Sequence, residues 1–197
     1  MNWLVQPGRA LRGEVWLLGD KSISHRAALL AALADGASRI KNFLVSGVTR
    51  DMLNALTNLG VSWQLEQSTL TVDGKGIYAL HSPSMPLNCG NSATTLRLLA
   101  GALAAANVSA VLDGSPGLRR RPMRRIIEPL RMMGVQIDAT DGHAPIILRN
   151  RIFPLRGIDY TLPIASAQVK SCLLLAALAG EDITLSLIHI SEPTRPY

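Results

Sequence analysis

Residues 19–36 read GDKSISHRAALLAALADG, a polar start bearing Lys21, Ser22 and Arg26 that runs into a Leu/Ala helix pattern. The stretch decides the fold because its form recurs. Ser22, Ser92 and Ser166 each follow a short polar or glycine-bearing turn, and each precedes a similar apolar run: LLAALADG, LLAGALAA and LLLAALAG. The serines are 70 and 74 residues apart. A second helix pattern repeats on its own account, MLNALTNLGV ending after Gly60 and IIEPLRMMGV ending after Gly134, with those glycines 74 residues apart. Two independent features sharing one period indicate an internal repeat.

The period predicts the order of elements. In the first unit, a capped helix over residues 22–35 precedes a β-rich stretch, SRIKNFLV, and a helix over 49–59 stopped by Gly60 as a left-handed cap. The strands VSWQL and TLTV close that unit, the second alternating with period two. In the second unit the helices fall at 92–105 and 122–133, with strands near SAVLD, VQID and PIILR. Pro122 suits a first helical position, and Pro129 inside the apolar stripe of that helix should loosen it. A third unit opens at Ser166 and is incomplete. The expected class is therefore α/β, built of repeated units in a pseudo-threefold arrangement truncated in the third.

Composition narrows the function. Apolar residues make up 48% and charged residues 17%, which suits a buried core rather than a disordered chain. The net charge of +6 favours acidic partners, while 4% aromatic content is sparse for stacking single-stranded nucleic acid, so small anionic ligands are preferred. Two cysteines and four scattered histidines offer no disulfide framework or zinc site. Residues 1–20 lack signal-peptide character and no apolar run is long enough to span a bilayer, so a reducing cytoplasm is expected, with no membrane partner.

Parallel helices of a threefold domain would open their N-termini at one end, where unpaired N–H groups and positive dipole ends attract anions. Ser22 reads either as an N-cap or as a ligand group sharing a face with Arg26. Gly90 and Asn91 allow close approach to backbone at the second start. In the run Arg119, Arg120, Arg121, Arg124 and Arg125, Arg121 stands out because Pro122 fixes it, and its guanidinium can grip an oxyanion. At the third start Gln168 both donates and accepts, which suits a hydroxylated ligand. His25 reads as a surface or packing group of the first turn.

GDKSISHRAALLAALADG, GNSATTLRLLAG, RRRPM and PIASAQVKSCLLLAALAG together resemble the 5-enolpyruvylshikimate-3-phosphate synthase family, in order and spacing, from about residue 7 to about residue 185. The resemblance implies domains of βαβαββ units and a cleft in which phosphoenolpyruvate is joined to the 5-hydroxyl of shikimate 3-phosphate with release of phosphate. It implies no cofactor or metal and a monomer at full length. Lys21 would touch both substrates and serve catalysis. Ser22, Arg26, Ser166, Ala167 and Gln168 would hold shikimate 3-phosphate, and Asn91, Ala93 and Arg121 phosphoenolpyruvate.

Departures from the family pattern carry expectations of their own. Ala93 stands where many relatives have glycine, which implies weaker inhibition by glyphosate. Val48 stands where relatives often have an acid, and Asp51 lies three residues on. The family is much longer, so residues 1–20 are expected to be a strand and hinge segment of a second domain, 21–185 the shikimate-phosphate-binding domain, and 186–197 a non-family tail. The whole is expected to be an inactive N-terminal portion. The alternatives are a relative that acts on a UDP-amino sugar and a non-enzymatic module that binds anions or nucleic acid through the arginine run.

Overall fold

The computed structural model describes residues 12–187 together with Leu4, Gly8 and Ala10. The first unit runs α1 (Lys21–Leu33), β1 (Asp35–Ile40), α2 (Gly47–Asn58), β2 (Ser62–Glu66) and β3 (Thr69–Lys75). A 3-10 turn at Ile77–Ala79 and a short strand β4 (Leu87–Asn88) lead to the second unit. That unit comprises α3 (Ala93–Ala106), β5 (Ala110–Asp113), α4 (Pro116–Arg119), α5 (Arg124–Met132), β6 (Gln136–Ala139) and β7 (Ile146–Arg149). Strand β8 (Asp159–Thr161), α6 (Ala167–Ala177) and β9 (Leu185–Leu187) follow.

The two complete units are wired alike. Their sheets run β1-β3-β2 and β4-β5-β7-β6, so the last strand of each unit is central, antiparallel to both of its own unit's other strands. Helices α2 and α5 end before Gly60 and Gly134, whose φ values of 90° and 94° confirm left-handed stops. Strand β4 adds parallel to β5, and β8 pairs parallel with β9.

The core sits around α3. Every residue of this helix except Arg97 is buried, which is what a helix apolar on all sides requires. Leu96, Leu99 and Leu103 are fully enclosed, and Gly101 lets α6 come close: a Cβ there would lie 2.2 Å from the Cys172 carbonyl oxygen. No helix among the described residues is long and apolar enough to cross a membrane.

Several expectations need correction. The first helix is capped by Asp20, whose Oδ1 accepts from the Ile23 amide at 2.7 Å, and Ser22 lies inside the helix. Aspartate and serine cap equally well, and the extended backbone falls at Asp20. The strand expected over 38–45 is displaced to Asp35–Ile40 because all six residues pair with β3. Pro122 is not a first helical residue. Helix α5 starts at Arg124 after Met123, whose amide donates to the Gly142 carbonyl at 2.8 Å. Pro116 takes the first helical position instead, in the unexpected α4. Pro129 is accommodated within α5, which ends at Met132, less than a turn later.

Residues 12–20 form no strand. Val15, Trp16, Leu17 and Leu18 are 79–90% exposed, since no strand among the described residues pairs with them. The tail expected over 186–197 lies mostly outside the described residues.

Candidate functional site

Three serine-associated helix starts come together at one end of the fold. Ser92 caps α3, its hydroxyl accepting from the Thr95 amide at 3.1 Å, and Ser166 caps α6, accepting from the Val169 amide at 3.4 Å. Side chains of the first turns then tie the helices pairwise. Between α1 and α3, His25 Nε2 lies 3.3 Å from Ser92 Oγ. Between α1 and α6, the Arg26 guanidinium donates to the Ala167 carbonyl at 3.3 Å and to Ser171 Oγ at 3.0 and 3.1 Å. Between α3 and α6, Gln168 Nε2 donates to Thr94 Oγ1 at 3.0 Å, and Gln168 Oε1 accepts from Arg97 Nη1 at 2.6 Å.

These contacts bring the N-terminal halves of the three helices together. The starts of α1 and α6 border a common space, toward which their free N–H groups and dipole ends favour anions, while the α3 start is buried beside them. An open cleft of about 680 Å³ lies beside them, lined by Ser22, Arg26, Ser166, Ala167 and Gln168. Ile23, Arg97, Lys170, Ser171 and Leu174 complete its walls, and no acidic residue lines it. Relieved of capping, the Ser22 hydroxyl has no hydrogen-bond partner among the described residues and is exposed to solvent. Lys21 is exposed at the first helical position of α1 but does not line the cleft.

Asn91, Ala93 and Arg121 form a neighbouring group. Asn91 Oδ1 accepts from Ser115 Oγ at 3.2 Å and has Arg121 Nη2 at a long 3.5 Å. Ala93 is buried at the first turn of α3. His143 Nδ1 sits 3.0 and 3.1 Å from the carbonyls of Arg119 and Arg121, supporting the backbone that carries the cation. Arg119 itself is paired with Asp113, and that hydrogen-bonded guanidinium holds the Asp113 carboxyl below the usual range.

Arg97 links the two groups and was not singled out from sequence. Besides holding Gln168, it donates through Nη2 to the Pro122 carbonyl at 2.9 Å, beside Arg121. Burial, then Arg125 and Arg121, push its pKa down, and its Nε is buried without a partner among the described residues. The signal was present: Arg97 is the lone charge in the Leu/Ala-rich ATTLRLLAGALAAA.

His25 is wholly buried. Nδ1 faces the Lys21 carbonyl at 2.7 Å, and Nε2 faces the Val48 carbonyl at 3.1 Å as well as Ser92. Burial lowers its pKa, the two carbonyls oppose that, and the charges of Lys21 and Arg26 lower it further. Val48 thus contributes only backbone. Asp51 packs its carboxylate against Gly90, so closely that a Cβ there would sit 1.9 Å from Oδ2, and burial raises the pKa of that carboxyl.

These shifts give a pH prediction. As pH falls below about 6.5, the unfolded chain takes up the His25 proton before the folded one, so stability declines until the lowered folded pKa is passed. Asp51 acts oppositely: its buried charge costs stability at neutral pH, and that cost is relieved as pH falls through its raised pKa. Urea midpoints measured at pH 7.5 and 5.5 should drop for the native sequence and drop less for His25→Gln. Equal drops would show that His25 does not set the slope.

Fold and cleft define a class, an α/β domain that gathers helix starts and cationic side chains around an open cleft with no carboxylate on its walls. The chain matches, over residues 5–196, the family described as EPSP synthase (3-phosphoshikimate 1-carboxyvinyltransferase), and it belongs to that family. It is 48% identical over 195 residues to the 3-phosphoshikimate 1-carboxyvinyltransferase of Salinibacter ruber, covering 98% of this chain and 45% of that protein. It is 50% identical to the enzyme of that name from Halorhodospira halophila, covering 100% and 44%. The solved EPSP synthase of Acinetobacter baumannii superposes with a TM-score of 0.85 at 40% identity, covering 93% of this chain and 41% of that one. The chain thus spans about half the length of the relatives it matches.

Proposed function

We propose that the chain supplies the shikimate-3-phosphate side of an enolpyruvyl transferase, whose reaction moves the enolpyruvyl group of phosphoenolpyruvate to the 5-hydroxyl of shikimate 3-phosphate and releases phosphate. The observation that carries this reading is the cleft at the starts of α1 and α6, with Arg26, Arg97 and Lys170 on its walls and no carboxylate. Two polyanionic substrates repel one another, and fixed cations and helix N-termini offset that repulsion while aligning them.

In this reading Ser22, Arg26, Ser166, Ala167 and Gln168 bind shikimate 3-phosphate. Asn91, Ala93 and Arg121 bind phosphoenolpyruvate, and Lys21, exposed next to Ser22 at the start of α1, contacts both substrates. Residues 1–20 belong with a second domain, consistent with the exposed Val15–Leu18 stretch finding no sheet. The setting is the cytoplasm, and the full-length protein acts as a monomer without nucleic acid or membrane partners. The two buried free thiols suit a reducing compartment.

Isothermal titration of the 197-residue chain is expected to show weak binding of shikimate 3-phosphate, none of a UDP-amino sugar, and no phosphate release when phosphoenolpyruvate is added. Preference for the UDP sugar would move the chain to the sister reaction. Turnover would show that the second half is dispensable.

A further inference from the structure

Two of the described arginines form ion pairs, and others are held by neutral acceptors, as Arg131 is by the Ile137 carbonyl. Arg119 and Arg149 are neutralised by Asp113 and Asp138, and neither lines the cleft. The two guanidiniums that do line it are held by neutral acceptors alone. Arg97 has Gln168 Oε1 and the Pro122 carbonyl. Arg26 has the carbonyls of Ser22 and Ala167 and the hydroxyl of Ser171. Only Ser171 grips Arg26 through a side chain. Its Oγ accepts from both Nε and Nη2, and it donates its own proton to the Ala167 carbonyl at 2.8 Å. The hydroxyl is thus fully used and cannot rotate away without breaking a bond.

We propose that Ser171 is a positioning residue, one that aims the Arg26 guanidinium along the cleft while leaving its charge uncancelled for an incoming oxyanion. The functional half of this statement rests on the reading of the cleft as the shikimate-3-phosphate site. A carboxylate would hold Arg26 more tightly than a hydroxyl, as Asp113 holds Arg119. It would also cancel the field that an anionic ligand needs. A neutral acceptor gives the geometry without the neutralisation. Four N–H groups of Arg26 are occupied, leaving one on Nη1 for a ligand, so the guanidinium acts chiefly as a fixed charge beside the helix starts.

Three substitutions separate geometry from charge. Ser171→Thr keeps the hydroxyl, Ser171→Ala removes it, and Ser171→Asp keeps an acceptor but adds an opposing charge. Two readouts are taken on the 197-residue chain. One is the Arg26 Nε–H resonance in nitrogen-15 spectra, assigned with an Arg26→Lys control, which reports the Ser171 bond with no ligand present. The other is calorimetric affinity for shikimate 3-phosphate.

Ser171→Thr should retain both. Ser171→Ala should shift the resonance, speed its exchange with water and weaken binding about 3- to 10-fold, a modest loss because the Ser22 and Ala167 carbonyls still hold the guanidinium. Ser171→Asp should keep a protected resonance yet weaken binding more than Ser171→Ala does. An unmoved resonance in Ser171→Ala overturns the proposal. So does Ser171→Asp binding as well as the native chain, since the uncancelled charge is then irrelevant. If the native chain binds no shikimate 3-phosphate while the resonance behaves as described, the positioning role stands and the assignment of the site falls.

Discussion

Replacing Arg97 with methionine is expected to weaken binding of shikimate 3-phosphate between ~10- and ~150-fold, while circular dichroism and the urea midpoint change little. The range follows from ~1.5–3 kcal/mol for hydrogen bonds to a charged group. Arg97 holds Gln168 by its carbonyl oxygen, and this orients the amide so that its nitrogen meets Thr94. Without the guanidinium the Gln168 amide is free to turn over, and the Pro122 carbonyl beside Arg121 loses its donor. One substitution therefore disturbs both groups of candidate residues and removes a cleft charge. Methionine fills most of the volume along the side-chain stem, and Arg97 lines an open cleft, so the fold should tolerate the change. Lysine at the same place keeps the charge but cannot span Gln168 and Pro122 together, and should recover only part of the affinity. If Arg97→Met binds as the native chain does, Arg97 is a packing element and the link between the two groups has no functional weight.

The reason Arg97 was missed shows where sequence reading stops. Helix starts were legible because Ser92 and Ser166 each precede a Leu/Ala-rich run, and both cap in the structure. The α1 start was misread by two residues, since Asp20 and Ser22 are equally able caps and only the backbone turn decides between them. Strands β2, β3, β5, β6 and β7 follow apolar alternation between turn residues and were placed closely. Strand β4 is two residues long and β8 three, too short for any period. Of the candidate site, Arg26, Ser166, Ala167 and Gln168 were expected together and stand together at the cleft. What could not be read was the linkage among them. His25 to Ser92, Thr94 to Gln168 and Arg26 to Ser171 join residues 67, 74 and 145 positions apart, and no local pattern encodes such pairs.

That linkage depends on how closely α3 and α6 approach, and Gly101 controls the approach. A Cβ at this position would lie 2.2 Å from the Cys172 carbonyl oxygen, 2.9 Å from its carbonyl carbon and 3.0 Å from its Cα. All three atoms are backbone of a helix, so no side chain can swing aside to relieve the clash. Gly101→Ala is expected to cost about 1–3 kcal/mol, the usual range for forcing a methylene into a packed interior. The better helix propensity of alanine returns at most about 1 kcal/mol. Gly101→Val adds two further methyl carbons in the same gap and should cost more, enough to consume much of a typical ~5–15 kcal/mol of domain stability. Urea unfolding checks both. The alanine form should show a lowered midpoint and the valine form little cooperative unfolding. Because spreading the helices also lengthens Gln168 to Thr94 and Gln168 to Arg97, the alanine form should lose ligand affinity beyond its loss of folded population. An alanine variant with native midpoint and native affinity would mean that α3 and α6 have slack, and that their starts are aligned by the side-chain bridges rather than by backbone contact.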